Sequence, residues 1–266
     1  MEPVYGTVIQ LARLVWWAQG LKFTVTGVEN LPRTGGAVIA INHTSYFDFT
    51  FAGLPAYKQH LGRKVRFMAK KEVFDHKITG PIMRSLRHIE VDRDSGAASY
   101  DEACRKLKEG ELVGVYPEAT ISRSFDIKEF KSGAARMAIA ADVPIVPHIV
   151  WGAQRVWTKG HPKNMKRPKV PISVAVGEPI PPSLPPTELT ALLHSRMQHL
   201  LERVQDAYEP HPPGEFWVPH RLGGGAPSLA EANQMDAEEA AEKAARRAAR
   251  QPPAGGGGPG PAGAPG

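Results

Sequence analysis

Three short segments of the sequence place ionisable side chains directly after apolar runs. These segments are Asn42-His43-Thr-Ser-Tyr-Phe-Asp48, Asp92-Arg93 and Tyr116-Pro-Glu118-Ala-Thr120. Histidine is the most frequent general base near neutral pH, and a neighbouring carboxylate orients it by fixing which ring nitrogen carries the proton. The first segment therefore predicts that His43 takes a proton from a substrate hydroxyl while Asp48 holds the imidazole in place.

The spacing of His43 and Asp48 restricts how the two side chains can meet. Positions five residues apart on an ideal α-helix point in directions about 140° apart, so the pair cannot form within a helix. It can form if His43 lies in the loop that leaves a strand and Asp48 lies in the first turn of the following helix. Open α/β sheets bind ligands at this carboxyl end of their strands. A structural loop contact without catalysis is the alternative.

The elements predicted around these segments alternate between strands and helices. Strand patterns occur at 22–26, 37–41, 65–69, 88–91, 112–116, 144–150 and 172–176, and helical patterns occur at 95–109, 132–141 and 187–207. Because βαβ crossovers cover both faces of a sheet, we expect an α/β fold whose mostly parallel central sheet is flanked by helices. This domain is predicted to span residues 21–208.

The first 20 residues predict an amphipathic helix. Its apolar positions recur at helical spacing, at Val4, Val8, Leu11, Val15 and Ala18. Arg13 interrupts an apolar stretch that is too short to cross a bilayer, while the adjacent pair Trp16 and Trp17 favours the headgroup layer. We interpret residues 1–20 as a membrane-association helix that lies in the plane of the interface; packing against the body of the protein is the alternative.

The last part of the chain differs in composition from the predicted domain. Prolines after Tyr208 mark a boundary, so residues 209–266 are predicted to form an extended tail. A capping-box pattern at Ser228 predicts an isolated helix over 228–250 that lacks a strong apolar stripe. Residues 251–266 contain 12 proline or glycine residues out of 16, and we expect disorder there.

Charge and composition restrict the class of partner. The net charge is +6 at pH 7, and 154–169 carries six basic residues and no acidic one. Such clusters attract anions, but zinc-finger, basic-zipper and RNA-binding signatures are missing, so nucleic acid is excluded as a partner.

The metal-binding His-Glu-x2-His run is also missing, and the single cysteine, Cys104, has the helical spacing of a core residue. One cysteine and no secretory signal predict a cytoplasmic location.

In order and spacing, the three segments resemble the conserved blocks of the glycerolipid acyltransferase family, which includes lysophosphatidic acid acyltransferase. The resemblance covers about 21–208 and adds a further block, Val143-Pro-Ile-Val-Pro147. It implies that His43 is the base and Asp48 its orienting partner. It also implies a thioester donor, acyl-coenzyme A or acyl carrier protein, without a resident cofactor. The acceptor it implies is a lysophospholipid, above all 1-acylglycerol 3-phosphate, and the location is peripheral or monotopic on the cytoplasmic membrane face.

The resemblance also carries over substrate-binding positions. Arg93 and Glu118 match positions that bind the phosphate and glycerol portion of the acceptor, Thr120 belongs to the same block as Glu118, and Lys131 matches a family lysine. One departure is Ile121, which stands where the family has a phosphate-binding arginine, because an aliphatic side chain cannot replace a guanidinium. Three explanations stay open: Arg123 takes over that contact from two residues further on, Arg93 and Lys131 suffice, or the acceptor is a different lysolipid or alcohol.

Two other functions use the same residues. A hydrolase would combine His43 with Ser45 or Ser122 as the nucleophile, although the Gly-x-Ser-x-Gly elbow is missing from the sequence. A non-catalytic lipid-binding protein would explain the replaced arginine and the charged tail. For the acyltransferase, backbone N–H groups at the start of the helix after His43 are expected to stabilise the developing oxyanion.

Overall fold

The computed structural model of the chain describes residues 3–59, 62–92 and 96–250. The strands are β1 (Lys22–Thr26), β2 (Ala37–Ile41), β3 (Val65–Lys70), β4 (Ile89–Val91), β5 (Leu112–Val115), β6 (Ile145–Trp151) and β7 (Pro171–Val176). The α-helices are α1 (Pro3–Ala18), α2 (Asp48–Ala52), α3 (Leu54–Gln59), α4 (Lys71–Asp75), α5 (Thr79–Ser85), α6 (Gly96–Lys108), α7 (Gly133–Ala141), α8 (Pro186–Asp206) and α9 (Leu229–Arg250). All the predicted strands are present, with ends that differ by at most one residue.

The strands form a single sheet in the order β1-β7-β6-β2-β5-β3-β4. The strands from β6 to β4 run parallel to one another, while β7 is antiparallel to β6 and pairs in parallel with β1 at the edge. The prediction of a mostly parallel sheet flanked by helices is therefore confirmed. Because β2 lies at the centre and β5 pairs with it, the loops after these two strands meet at one edge of the sheet.

Both faces of the sheet are buried. In β2, Val38 and Ala40 contact the apolar cluster formed with α6, α7 and α8, whereas Ile39 and Ile41 contact the cluster formed with α1, α2 and α3. Every residue of β2 is fully buried, as expected for a central parallel strand covered on both sides. This packing keeps the carboxyl end of β2 rigid, and the loop that carries His43 starts there.

Helix α1 packs on the protein through a different face from the predicted stripe. Tyr5 and Trp16 are buried, and the Tyr5 hydroxyl donates to the Val65 carbonyl at 3.1 Å. Most of the predicted apolar stripe points outward, with Leu11 and Val15 exposed by 58% and 49%, and the neighbouring Leu14 and Trp17 are exposed by 60% and 77%. The helix therefore packs and also keeps an uncovered apolar surface. Among the described residues, the helices fall short of the length and apolar character needed to cross a membrane.

The tail is packed on the body instead of extending from it. Trp217, Val218 and Ala226 are buried, and the Arg155 guanidinium lies 4.2 Å from the centroid of the Trp217 ring. Helix α9 is present where the capping box predicts a helix, and the Glu231 side chain accepts from the backbone N–H of Ser228 at 2.8 Å. The structure departs from the expectation of an isolated helix, because α9 pairs with charged groups of the domain. The predicted disorder at 251–266 lies outside the described residues.

Candidate active site

Asn42 anchors the loop that carries His43. Its side-chain Nδ2 donates to the Val150 carbonyl at 3.0 Å, and its Oδ1 accepts from the Val150 N–H at 2.7 Å. Its backbone N–H donates to the His148 carbonyl at 3.3 Å. These contacts extend the pairing of β2 with β6 by one residue beyond Ile41. The chain therefore leaves the sheet at a defined point, with His43 as the first residue of the loop.

His43 and Asp48 meet in the arrangement that their spacing allows. Asp48 is the first residue of α2, and its Oδ2 lies 3.0 Å from His43 Nδ1. The same oxygen accepts the backbone N–H groups of Thr44 and Ser45, both at 2.7 Å. Asp48 is fully buried, while 20% of the His43 side chain is exposed. One carboxylate thus closes the loop and orients the imidazole.

The contact with Asp48 decides which ring nitrogen of His43 remains for a substrate. A carboxylate acceptor at Nδ1 selects the tautomer that carries its proton there, so Nε2 is left as the acceptor. Burial raises the pKa of the Asp48 carboxyl above its usual value, and the hydrogen bonds from His43, Ser45 and Thr44 oppose that rise. The pair therefore has the geometry of a general base and its orienting group.

Tyr116 forms a flat wall beside the imidazole. It follows β5, and its ring stacks on that of His43 with centroids 4.0 Å apart and planes inclined by 21°. Burial and the nearby Asp48 carboxylate raise the pKa of the Tyr116 phenol well above its usual value, so the ring stays neutral. Sequence reasoning assigned no role to Tyr116, although its place before Pro117-Glu118 at the end of a predicted strand was available as a signal.

Glu118 lies behind the site and not in its wall. Its Oε1 accepts the His43 backbone N–H at 2.9 Å, and its Oε2 accepts the Lys128 backbone N–H at 3.1 Å. Burial raises the pKa of this carboxyl to about 8, against the effect of the two N–H donors. The expected contact of Glu118 with the acceptor is therefore replaced by a contact with the backbone, which joins the loops after β2 and β5.

The backbone next to Glu118 is strained. Ala119 has a φ of 59°, in the left-handed region that costs a residue with a Cβ about 1–2 kcal/mol. Glycine, which lacks a Cβ, adopts this conformation readily. The turn that brings Thr120 to the site therefore keeps its shape here without the residue that suits it best.

His43 lies in the wall of a cavity of about 520 Å³. Such a volume is within the usual range for small-molecule sites. Apolar side chains form much of the wall, and they include Phe49, Phe67, Met68, Val73, Met83 and Met137. Thr120, Ile121 and Lys131 also line the cavity. The site therefore combines a base with an apolar surface that suits an acyl chain.

The remaining predicted substrate residues have different placements. Arg123 does not line the cavity and turns toward α9, where it contacts Asp236 and Glu239. Ile121 lines the cavity at the position of the family arginine and is itself buried. Arg93 lies outside the described residues.

A cationic cluster, formed by Arg123, Lys128 and Lys159, adjoins the cavity. Lys159 Nζ lies 2.8 Å from Asp236 Oδ1 and 2.6 Å from Glu239 Oε2. Arg123 Nη2 donates to Glu239 at 2.9 Å, and Lys128 pairs with Asp236. Lys159 and Glu239 also line the same cavity as His43. Sequence reasoning missed Lys128, Lys159 and both α9 carboxylates as members of the site.

The ion pairs change the proton affinity of the α9 carboxylates. Hydrogen bonds from Lys159 and Lys243 lower the pKa of Glu239 to about 2. Partial burial acts to raise the pKa of Asp236, but contacts with Lys128 and Lys159 hold it below its usual value. Both carboxylates are therefore ionised at neutral pH.

The geometry argues against the hydrolase alternative. The hydroxyl of Ser45 donates to the Trp157 carbonyl at 2.7 Å and that of Ser122 to the Asp126 carbonyl at 2.8 Å, so neither serves His43 as a serine nucleophile would. The N–H groups of Thr44 and Ser45 already donate to Asp48. Oxyanion donors at the start of the helix after His43 therefore stay a prediction for the N–H groups that follow these two.

The match to a known protein family begins at the first strand of the sheet and covers six of its seven strands. The acyltransferase family model matches residues 22–151, from the start of β1 to the end of β6. A 1-acyl-sn-glycerol-3-phosphate acyltransferase of Limnanthes douglasii is 30% identical over 209 residues, which cover 77% of this chain and 68% of the relative. A protein of the same name from Bacillus subtilis (strain 168) is 31% identical over 156 residues, 57% of this chain and 70% of the relative.

One solved structure shares the fold. The crystal structure of the 1-acyl-sn-glycerophosphate acyltransferase PlsC from Thermotoga maritima matches with a TM-score of 0.60 and 23% sequence identity. The match covers 75% of this chain and 78% of that chain. At this level of identity, the likeness concerns the arrangement of strands and helices.

Proposed function

The chain belongs to the acyltransferase family and is an acyltransferase, and from that premise we propose that it acylates the free hydroxyl of 1-acylglycerol 3-phosphate. The product is phosphatidic acid, the donor is an acyl thioester, and His43 is the general base. The observation that carries this proposal is the His43–Asp48 pair in the wall of a largely apolar cavity with cations at its edge.

The proposed reaction follows from the free nitrogen of His43. Nε2 takes the proton of the acceptor hydroxyl while the oxygen attacks the thioester carbonyl; a C–O bond forms, the C–S bond breaks, and the proton passes to the departing thiolate. Asp48 stabilises the imidazolium that exists between these steps. A positioned base contributes about 10²- to 10⁴-fold. A thiol with a pKa of about 8.5 leaves without a strong acid to protonate it.

Other features of the cavity support the choice of substrates. The apolar wall matches a fatty acyl chain, and Thr120 and Lys131 in the same wall offer a hydroxyl and an ammonium to the polar part of the acceptor. Acyl-coenzyme A and acyl carrier protein present the same thioester to His43, and the catalytic pair serves either donor. Glu118 acts as a positioning residue, because it holds the backbone of His43.

The uncovered face of α1 supports attachment to a membrane surface. Leu11, Leu14 and Trp17 project from a helix that is held to the protein by Tyr5 and Trp16. An in-plane helix with this division between its faces inserts its apolar side at the headgroup boundary. We therefore propose that the protein is a peripheral or monotopic membrane enzyme, and we propose the cytoplasmic face from the family resemblance alone.

The catalytic proposal is tested with the purified full chain, detergent-dispersed 1-acylglycerol 3-phosphate and acyl-coenzyme A. Phosphatidic acid is measured by mass spectrometry, and His43→Ala is expected to abolish its formation. His199→Ala is the matched control, since His199 is an exposed histidine on α8 that lies outside this cavity. Normal turnover by His43→Ala would disprove the assignment of the base. A panel of lysophospholipids and a comparison with acyl carrier protein then identify the preferred substrates.

Membrane attachment is tested by vesicle co-sedimentation. Leu14→Glu places a charge on the uncovered face of α1 and is expected to release the protein from vesicles that contain phosphatidylglycerol. Gln10→Glu is the matched control, because it adds the same charge at another exposed position of the helix. Equal binding of the two variants would show that the exposed stripe does not contact lipid.

A further inference from the structure

Helix α9 rests on the domain through one small apolar residue and two carboxylates. Ala232, Asp236 and Glu239 are spaced so that they share one face of the helix, and Ala232 is fully buried. Leu229, Asp236 and Glu239 are partly exposed, and, besides Ala232, the other described side chains of α9 are exposed. Docking of α9 therefore depends mainly on its ion pairs with the cationic cluster.

The other side-chain contacts described for α9 lie within the helix itself or at its N-cap. Arg246 pairs with Glu242 at 2.5 Å within the exposed part of the helix, and Gln234 donates to Glu238 at 3.0 Å. These contacts stabilise the helix itself and not its position. Because partly exposed ion pairs contribute little net stability, another anion can compete with α9 for the cluster.

The charge and hydrogen-bonding capacity of the cluster match a phosphate group. Two carboxylates bring a charge of about −2 to it, and a phosphate monoester brings about −1.5 to −2 with three strong acceptor oxygens. Arg123 supplies a guanidinium, the group best suited to phosphate, two residues after the position where Ile121 replaces the family arginine. Lys159 joins the cluster to the cavity of His43, since it lies in the cavity wall.

We propose that Arg123, Lys128 and Lys159 form a binding site for a substrate phosphate and that Asp236 and Glu239 occupy this site as an internal ligand until the phosphate displaces them. The identity of the substrate rests on the proposed function, whereas the competition between carboxylate and phosphate does not. Glu239 and Lys243 line the cavity, so displacement of α9 also removes part of its wall and widens access to His43.

The competition has a measurable consequence. A site that is occupied by its own tail binds phosphate with an affinity reduced by the fraction of molecules in which the site is free. Removing the two carboxylate charges relieves this reduction. The variant Asp236→Asn/Glu239→Gln retains the size and the helical backbone of α9 while it lowers the negative charge facing the cluster.

The experiment measures binding of inorganic phosphate to the full chain by calorimetry and by thermal shift. Asp236→Asn/Glu239→Gln is expected to bind phosphate about tenfold more tightly than the wild type. The matched control is Glu238→Gln/Glu242→Gln, which removes the same charge from the exposed part of α9 and is expected to bind like the wild type. Adding Arg123→Gln to the first variant is expected to abolish its gain.

The same variants identify which substrate uses the site. A lower KM for 1-acylglycerol 3-phosphate in Asp236→Asn/Glu239→Gln assigns the site to the acceptor, and a lower KM for acyl-coenzyme A assigns it to the phosphates of the donor. Unchanged values for both would overturn the assignment to a substrate. Equal phosphate binding by all variants, or a gain that survives Arg123→Gln, would overturn the site itself.

Failure of this inference is distinguishable from failure of the proposed function. Phosphate binding needs no turnover, so His43→Ala is expected to bind phosphate like the wild type even when it forms no product. If the tail variants gain phosphate affinity while phosphatidic acid is never formed, the site stands and the proposed reaction falls.

Discussion

The His43–Asp48 pair and the cationic cluster lie along the same cavity but are built in opposite ways. Asp48 is fully buried, and the groups that donate to it come from residues three to five positions away. The cluster takes its counter-charges from far along the chain, since Arg123 and Asp236 are 113 residues apart. Those carboxylates belong to a helix that is largely exposed.

This difference separates a fixed part of the site from an exchangeable part. Water cannot reach Asp48, and its hydrogen bonds orient His43 before any substrate binds, which is what catalysis by a positioned base requires. The ion pairs of α9 lie close to solvent, where salt and other anions compete with them. We therefore expect changes at the pair to alter kcat and changes at the cluster to alter KM.

The largest effect is expected from Asp48→Asn. The amide cannot hold the Nδ1–H tautomer of His43 as a carboxylate does, so kcat should fall by about 10²- to 10⁴-fold. Product formation at saturating substrates measures this change, and circular dichroism checks the fold. Asp101→Asn, at an exposed position on α6, serves as the control. A kcat for Asp48→Asn near that of the wild type would remove the distinction between a fixed and an exchangeable part.

A smaller effect is expected from Glu118→Gln, which tests the support behind the fixed part. Both oxygens of a carboxyl group carry lone pairs, even when it is protonated, whereas the NH2 group of an amide cannot accept, so either His43 or Lys128 loses the partner of its backbone N–H. An unsatisfied buried donor costs about 1–3 kcal/mol. Urea unfolding at pH 5 measures the loss of stability. An unchanged unfolding free energy would contradict the role of Glu118 as a link between the two loops.

The same variant gives a pH dependence with a definite sign. The folded protein holds the Glu118 proton up to a pKa of about 8, while the ordinary value is 4.5. The folded state therefore binds more protons than the unfolded chain between these values. This contribution to stability is fully present below pH 4.5 and is lost as the pH rises through 8. Glu118→Gln should lack this decline, which urea unfolding across the range can measure.

A further contrast should appear in hydrogen exchange at different salt concentrations. Added sodium chloride screens exposed ion pairs, with a Debye length of about 10 Å at 0.1 M, so the backbone amides of α9 should exchange several-fold faster as salt increases. The N–H groups of Thr44 and Ser45 donate to a buried carboxylate and should not respond. Equal responses in the two regions would contradict the comparison.

The smallest effect is expected from Ala119→Gly. Glycine adopts the left-handed conformation of this exposed residue without the strain that alanine bears, but it has more conformational freedom to lose on folding. The net gain should be about 1 kcal/mol in the free energy of unfolding. Thermal unfolding measures it. A loss of stability would show that the Ala119 methyl group makes a contact that outweighs the strain.

Much of the fold follows from patterns that lie close together in the sequence. The strands from β1 to β7 and the helices α6, α7 and α8 have the periodicity and end signals of their elements, and the structure contains all of them. Helix α2 was expected only because Asp48 needs a helix start to reach His43. The short helices α3 to α5 were not predicted, because five to seven residues carry too little periodicity. For α1, the pattern predicts a helix but does not decide which of its apolar sides packs.

By itself, the sequence determined the alternation of strands and helices and the pairing of His43 with Asp48, because each depends on residues only a few positions apart. Only the tertiary structure decided that Glu118 faces the backbone, that Tyr116 stacks on the imidazole and that α9 occupies the cationic cluster. The local sequence around an acidic residue is the same whether its carboxylate faces solvent, a substrate or a lysine more than 70 residues away. Its partner is chosen by the packing of the whole chain.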